Sequence, residues 1–223
     1  MKKHVNNANQ EDYLKVIYQN GGLDEHVSNK VLSQKLQVSP PSVSEMLLKL
    51  SEEDYITYTP YKGAILTDKG AEVTATTIRN HRIFERFLYD SLDYSLREVH
   101  TLAEELEHVK DLDFFDKLYN FLGQPETCPH GSMINKDKII FEKYTDPLSS
   151  FEIGSQVEIK RFDDSSKLLE FVEENSLGLG QTVNILEKNE EDDQVVISMN
   201  QNELVVPLAF ALKIFVIPLE NQN

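Results

Sequence analysis

The hydrophobic period of this chain changes from helical to alternating and back. Over residues 9–19, Tyr13, Leu14, Ile17 and Tyr18 recur every three or four positions, which predicts an amphipathic helix closed by Gly21-Gly22. Residues 29–36 repeat the pattern with Val31, Leu32 and Leu36 inward. Ser39-Pro40-Pro41-Ser42 then starts a third helix. Ser39 is its predicted N-cap, and prolines suit the first turn because the N–H they lack would be unpaired there. Val43, Met46, Leu47 and Leu50 form its inner face. After Asp54 the period drops to two. Tyr55-Ile56-Thr57-Tyr58-Thr59 and Ala64-Ile65-Leu66 flank the turn Pro60-Tyr61-Lys62-Gly63 and predict a hairpin. Helical spacing returns, with Asp68 the candidate cap of a long helix over 69–89 and Ser95 that of another reaching Lys110. A third, over 113–122, is broken by Gly123 and Pro125.

Residues 124–150 have linker composition, rich in Pro, Gly, Ser, Thr and Asn. Beyond Phe151 the signal is mostly strands, at 157–160, 182–186, 195–199 and 203–206, with a short helix over 164–173. There is no internal repeat, and Asp192-Asp193 reads as a solvated hairpin tip. The expected fold is mainly α with a small β domain. A winged helix-turn-helix occupies 1–72, a helical domain 73–140, a linker 141–150 and a small β-barrel 151–219.

Composition adds constraints. The 223 residues are 40% hydrophobic and 27% charged, as in soluble globular proteins. No apolar run approaches the roughly 18 residues of a membrane span, and residues 1–10 are polar with no signal-like core. The expected location is the cytoplasm, with no membrane partner. A single Cys fits a reducing compartment. The net charge of −16 argues against nucleic-acid binding by the whole surface. Its distribution changes that reading: residues 1–76 hold 8 Lys/Arg against 10 Asp/Glu, whereas the remainder holds 14 against 28.

Two short helices, a tight turn, a capped third helix and a hairpin make a winged helix-turn-helix, whose third helix enters the major groove. Ser39, Pro41, Ser42, Ser44 and Glu45 would face base edges, and Tyr61 and Lys62 of the hairpin the phosphates. A Ser-Pro-Pro-Ser helix start is equally a capping solution in any helical protein. Few basic residues back the third helix, which favours a dimer because doubling the contacts restores affinity.

Four of the seven His and Cys residues fall in three sets: His81 with Glu85, Glu104 with Glu107 and His108, and Cys128 with His130. Side chains three or four apart share a helix face, so each helical set can point at one ion. Taken singly, such sets are more often solvated faces or surface pairs, and a lone Cys is more often a small buried residue. Their joint occurrence points to a transition-metal site.

In order, Glu11-Asp12-Tyr13-Leu14, Ser39-Pro-Pro-Ser-Val-Ser-Glu45, His81-Arg-Ile-Phe-Glu85, Glu104-Glu-Leu-Glu-His108 and Cys128-Pro-His-Gly131 resemble the diphtheria-toxin-repressor family of metal-dependent transcriptional regulators. The segment after 151 looks like that family's SH3-like (FeoA-like) domain. The resemblance implies a helical dimerisation and metal-binding region between winged helix and barrel. It also implies a homodimer that binds double-stranded operator DNA when loaded with Mn2+ or Fe2+, with no organic cofactor. Carried onto matching positions, it puts Asp12, Glu104, Glu107 and His108 in one metal site. His81, Glu85, Cys128 and His130 contribute to the other, with Asp163 or Asp164 as a further carboxylate. The division of His81 and Cys128 between the sites stays open. His100 matches an auxiliary ligand of iron-type members.

Iron-responsive members resemble this chain but carry Met where it has Asp12 and Cys where it has Glu104. Hard carboxylates suit Mn2+, which favours a manganese-dependent repressor of metal-uptake genes, with an iron-responsive repressor as the alternative. Small manganese regulators without a barrel carry Glu where this chain has Lys15, so their two-metal arrangement does not transfer. A metallohydrolase is the rival from another class, but no H-E-x-x-H, Gly-rich phosphate loop or Ser-His-Asp pattern supports it.

Overall fold

The computed structural model describes residues 8–135, 140–189, 192–199 and 202–219. The polar N-terminal stretch 1–7 and part of the linker-like segment, 136–139, lie outside the described residues. Two compact units emerge, each assembled from separated stretches of sequence. The first comprises residues 1–81, 104–115 and 135–140, and the second 82–103, 116–134 and 141–223.

In the first unit, helices α1 (Ala8–Gln19), α2 (Asn29–Leu36) and α3 (Pro40–Glu52) precede a two-stranded antiparallel hairpin, β1 (Ile56–Thr59) with β2 (Gly63–Leu66). Local chemistry sets the boundaries. Ser28 Oγ accepts from Val31 N at 3.3 Å to start α2, and Ser39 Oγ accepts from Ser42 N at 3.3 Å to start α3. Gln37, left-handed at φ 55°, turns the chain between them. Tyr13, Leu14 and Ile17 from α1, Leu32 from α2, and Val43, Leu47 and Leu50 from α3 close over Ile56 and Leu66 as one core. Full burial of such a side chain stabilises by about 1.5–3 kcal/mol. Gly63 has φ +116°, and a Cβ there would stand 2.0 Å from Val27 O, so the hairpin meets the preceding chain only with glycine.

Helix α4 (Asp68–Leu92) runs from the first unit into the second. Its cap is Thr67 and not Asp68: Thr67 Oγ1 accepts from Gly70 N at 3.1 Å. Helix α5 (Leu96–Leu106) opens with a capping box in which Ser95 Oγ accepts from Glu98 N at 3.4 Å and Glu98 Oε2 accepts from Ser95 N at 3.0 Å. It stops at Leu106, short of the predicted Lys110, so Glu107 and His108 sit just past its last turn. Helix α6 (Leu112–Phe121) follows.

The second unit is built on an SH3-like antiparallel sheet in the order β6-β5-β4-β3-β7. Its strands are β3 (Gln156–Phe162), β4 (Thr182–Asn189), β5 (Gln194–Met199), β6 (Asn202–Pro207) and β7 (Ile214–Pro218). Helix α7 (Ser166–Glu174) and the short α8 (Leu208–Ala211) complete it. Val157 and Ile159 alternate inward from β3, Phe162 joins them past a register shift, and all three share a core with Leu168, Leu169 and Val172 of α7. Register shifts after Ile159 and Ile185 bend the sheet. Strand β7 and α8 were not anticipated. The run Leu208 to Leu219 is apolar almost throughout, so its period does not announce a strand. Among the described residues no helix is long and apolar enough to cross a membrane.

Candidate metal centres and nucleic-acid interface

The inner face of α1 fixes its outer one. With Tyr13, Leu14 and Ile17 in the core, Glu11 and Asp12 reach the segment just past α5. There His108 Nδ1 lies 2.6 Å from Glu11 Oε2, and its Nε2 lies 3.1 Å from Asp12 Oδ1 and 3.9 Å from Glu107 Oε1. Ligand atoms of Asp12, Glu107 and His108 all fall within 4.8 Å of one another. Hydrogen bonds to Asp12 and Glu11 push the His108 imidazole up to about 10, so at neutral pH its proton holds two carboxylates together.

Glu107 is buried and has two sides. Its Oε2 lies 2.5 Å from His81 Nδ1 and accepts from Lys15 Nζ at 2.8 Å; Oε1 accepts from the same ammonium at 3.0 Å. Lys15 Nζ also donates to Glu104 Oε1 at 2.8 Å. Burial alone would lower the Lys15 ammonium, but Glu107 and Glu104 outweigh it and hold the group above its ordinary value.

The second unit gathers a different set. Glu85 on α4 is fully buried, and its Oε1 lies 3.2 Å from His130 Nδ1 and 3.3 Å from His100 Nδ1 on α5. His130 Nδ1 is 3.8 Å from Cys128 Sγ and 3.6 Å from Asp164 Oδ1. Two groups of potential ligand atoms, Glu85-Cys128-His130 and Glu85-His100-Asp164, each close within 4.8 Å. The loop carrying Cys128 and His130 is drawn tight by the bridge between Thr127 and Met133. It is pinned to β3 where Phe162 N donates to His130 O at 2.8 Å. Gly131 makes that approach possible: it has φ +90°, and a Cβ would stand 2.1 Å from Lys160 O. Arg82, buried, donates to Met133 O at 2.6 Å and pairs with Glu142, whose other oxygen accepts from Met133 N at 3.1 Å.

These residues fit a metal. His130 Nε2 donates to Leu96 O at 3.0 Å, which fixes a proton on Nε2 and leaves Nδ1, facing Glu85 and Asp164, as the nitrogen that would exchange its proton for a metal. Asp164 Oδ1 is buried with no hydrogen-bond partner, and its neighbouring cation is the His130 imidazole 3.6 Å away, a place a metal ion would also satisfy. Burial drives the Cys128 thiol up to about 11, and metal ligation requires its thiolate.

Sequence spacing and structure diverge at several residues. Glu104 bonds Lys15 and stays outside the Asp12-Glu107-His108 group. His81, whose division between the two sites the sequence leaves open, stands beside Glu107 in the first unit. Of the adjacent aspartates, Asp164 enters the second centre. Asp163 instead accepts from Lys213 Nζ at 2.9 Å and from Ser165 N at 3.1 Å. Glu11 was overlooked as a site residue, though a carboxylate adjoining Asp12 was the available signal.

On α3, Ser39, Pro41, Ser42 and Glu45 are exposed, as are Tyr61 and Lys62 at the hairpin tip. Ser44 is more committed: its Oγ donates to Pro40 O at 3.1 Å and accepts from Asn29 Nδ2 at 3.1 Å, tying α2 to α3.

Residues 7–64 match the profile of the iron dependent repressor N-terminal DNA binding domain, and 67–136 that family's metal binding and dimerisation domain. Residues 147–218 match the FeoA domain. The solved structure of the manganese regulator SloR is 34% identical, with 94% of this chain and 98% of that one covered at a TM-score of 0.81. The chain belongs to the iron-dependent (diphtheria-toxin) repressor family. That family consists of DNA-binding, metal-dependent transcriptional regulators and not of enzymes, which removes the metallohydrolase reading. ScaR with bound Cd2+ is 32% identical and covers 94% of this chain and 99% of its own at a TM-score of 0.84. The iron-dependent repressor IdeR of Mycobacterium tuberculosis is 30% identical over 127 residues, which are 56% of this chain and 54% of that repressor. The chain thus spans about half the length of this curated relative.

Proposed function

We propose that this protein is a cytoplasmic, homodimeric, manganese-dependent repressor that binds double-stranded operator DNA when metal-loaded and controls metal-uptake genes. The observation that carries the reading is the meeting of α1 with Glu107 and His108. Helix α1 shares a core with α2 and α3, so whatever grips Asp12 also grips the DNA-reading helices. Asp12, Glu107 and His108 would hold the ion, with Glu11 beside them. An Mn2+ there supplies two positive charges that let these carboxylates share one point. Without it, the His108 proton is the weaker substitute: its single charge is divided between Glu11 and Asp12.

The donors favour manganese. This set is oxygen and imidazole with no sulfur, which suits a hard, weakly binding cation. SloR and ScaR, described as manganese regulators, support the assignment. Cys128 in the second set, with the likeness to IdeR, favours Fe2+ as the alternative. Ser39, Pro41, Ser42 and Glu45 would read bases, and Tyr61 and Lys62 would approach phosphates. Metal and operator then raise each other's affinity reciprocally, by roughly 5–150-fold per linked event.

The test is fluorescence anisotropy on a palindromic operator selected from a random library, at fixed salt, comparing chelator, Mn2+, anaerobic Fe2+ and Zn2+. Binding that appears with Mn2+ at micromolar levels and disappears in Glu107→Ala is expected. Binding indifferent to chelator would reduce the metal to a structural part. Activation by Fe2+ alone would select the iron reading.

A further inference from the structure

We propose that Asn29 is a positioning residue for DNA recognition: it pins the roll of α3 to the hairpin, so that the side chains reading bases and those approaching phosphates are set against each other. The inference rests on the operator-binding reading above and concerns what gives that binding its sequence preference.

Asn29 opens α2 and is half-buried. Its Nδ2 donates to Ser44 Oγ at 3.1 Å and to Tyr58 Oη at 3.3 Å. A side-chain amide carries two N–H donors, so both bonds are made at once. Three elements meet on this nitrogen: α2, α3 through Ser44, and β1 through Tyr58. Ser44 is tied to its own helix, where its hydroxyl donates to Pro40 O at 3.1 Å. Tyr58 packs its ring against the core of this unit. Backbone bonds fix its strand: Tyr58 pairs with Ala64, whose O accepts from Val27 N at 2.8 Å and whose N donates to Val27 O at 3.0 Å.

The core sets the roll of α3 only loosely. Val43, Leu47 and Leu50 are held by apolar burial, which has no preferred direction. Ser44 lies between that buried face and the exposed Pro41, Ser42 and Glu45. At roughly 5–6 Å from the helix axis, a roll of about 20° moves a side-chain tip by about 2 Å. A binding constellation works within about 0.5 Å and 10–20° of its productive geometry. The directional bond at Ser44 supplies that constraint, and the bond to Tyr58 refers it to the strand leading to Tyr61 and Lys62. Asn29 acts on recognition only through the residues it holds.

The experiment uses the full chain with saturating Mn2+ at fixed salt. Anisotropy gives its affinity for the selected operator and for a duplex of the same length with the sequence shuffled. The ratio of the two is the readout, because partial unfolding lowers both alike and leaves the ratio unchanged. Wild type, Asn29→Ala, Tyr58→Phe and the double variant are compared. Asn29→Ala is expected to lower the ratio about 10-fold, and Tyr58→Phe, which removes one oxygen and keeps the ring, about threefold. The double variant should be no worse than Asn29→Ala, since the Tyr58 hydroxyl acts through Asn29. An unchanged ratio in Asn29→Ala overturns the proposal, as does a double variant in which the two losses multiply. Where Asn29→Ala does not fold, an unchanged ratio in Tyr58→Phe overturns it. A wild type that prefers no operator under any metal overturns the repressor reading itself, which is a different result from a preference that survives these substitutions.

Discussion

The two candidate centres share imidazoles and carboxylates but differ in how the protein holds them. In the first unit the donors come from the exposed side of α1 and a segment just past α5, and a proton on His108 and the ammonium of Lys15 balance the charge. In the second, Glu85, Cys128 and His130 are buried, and the loop is fixed by a bridge, by Gly131 and by the Arg82–Glu142 pair. One is organised by charge and the other by packing. A charge-organised site responds to small changes in cation supply. A packed one is expensive to assemble and then persists. On the proposed function the first would be the switch and the second the anchor.

The largest effect should come from breaking the packed centre's support. In Glu142→Ala the buried Arg82 guanidinium loses its carboxylate, and Met133 N loses its acceptor. Removing one partner of a buried pair costs about 3–5 kcal/mol. Calorimetric unfolding should show the metal-free protein destabilised by that order. A change within error would mean that the loop is held by its backbone bonds alone.

Next comes the contrast in switching. His108→Ala should reduce Mn2+-activated operator binding by about 100-fold, within the span of allosteric couplings. Cys128→Ser should leave most of the activation in place while weakening ion uptake at the second centre by about 10-fold or more. Operator titrations alongside metal titrations separate the two. Equal loss of DNA response in both variants would erase the distinction between switch and anchor. A smaller, local effect belongs to Gly131→Ala. Positive φ and a collision with Lys160 O should cost about 1–3 kcal/mol, visible as a lower unfolding midpoint.

The reading head was plainer in the sequence than the centres. Ser39 and the turn before Gly63 act within a few residues, so local spacing reveals them. His81 and Glu85 lie one turn apart on α4, and spacing grouped them. Their partners come from distant segments: Glu107 for His81, and Cys128 and His130 for Glu85. No helical period encodes that choice. Lys15 was set aside because it cannot ligate, and the same property makes its place beside Glu104 and Glu107 informative. The end of α5 at Leu106 is hidden because Glu107-His108-Val109-Lys110 beyond it holds no Gly or Pro and keeps helical composition.

The last expected effect, spread over several pH units instead of appearing at one substitution, is a pH dependence in the metal-free protein that sharpens the comparison. His108 is raised from 6.5 to about 10 in the folded state, so its contribution to stability is complete below pH 6.5 and is lost as pH climbs through about 10. In the second unit, burial would lower His130, but Glu85 and Cys128 outweigh it and raise the imidazole well above its ordinary value, so this group adds loss in the same direction. The Cys128 thiol is raised from 9.0 to about 11 by burial; its contribution holds below pH 9 and falls as pH rises through about 11. Chelator-treated protein should therefore lose unfolding temperature from pH 6.5 upward, with an added loss above pH 9. His108→Gln should flatten the first decline in part, and Cys128→Ser should remove the second. A wild-type midpoint flat from pH 6.5 to 9 would mean that the proton on His108 does not hold Glu11 and Asp12 together. The first centre would then have to be organised by Lys15 alone.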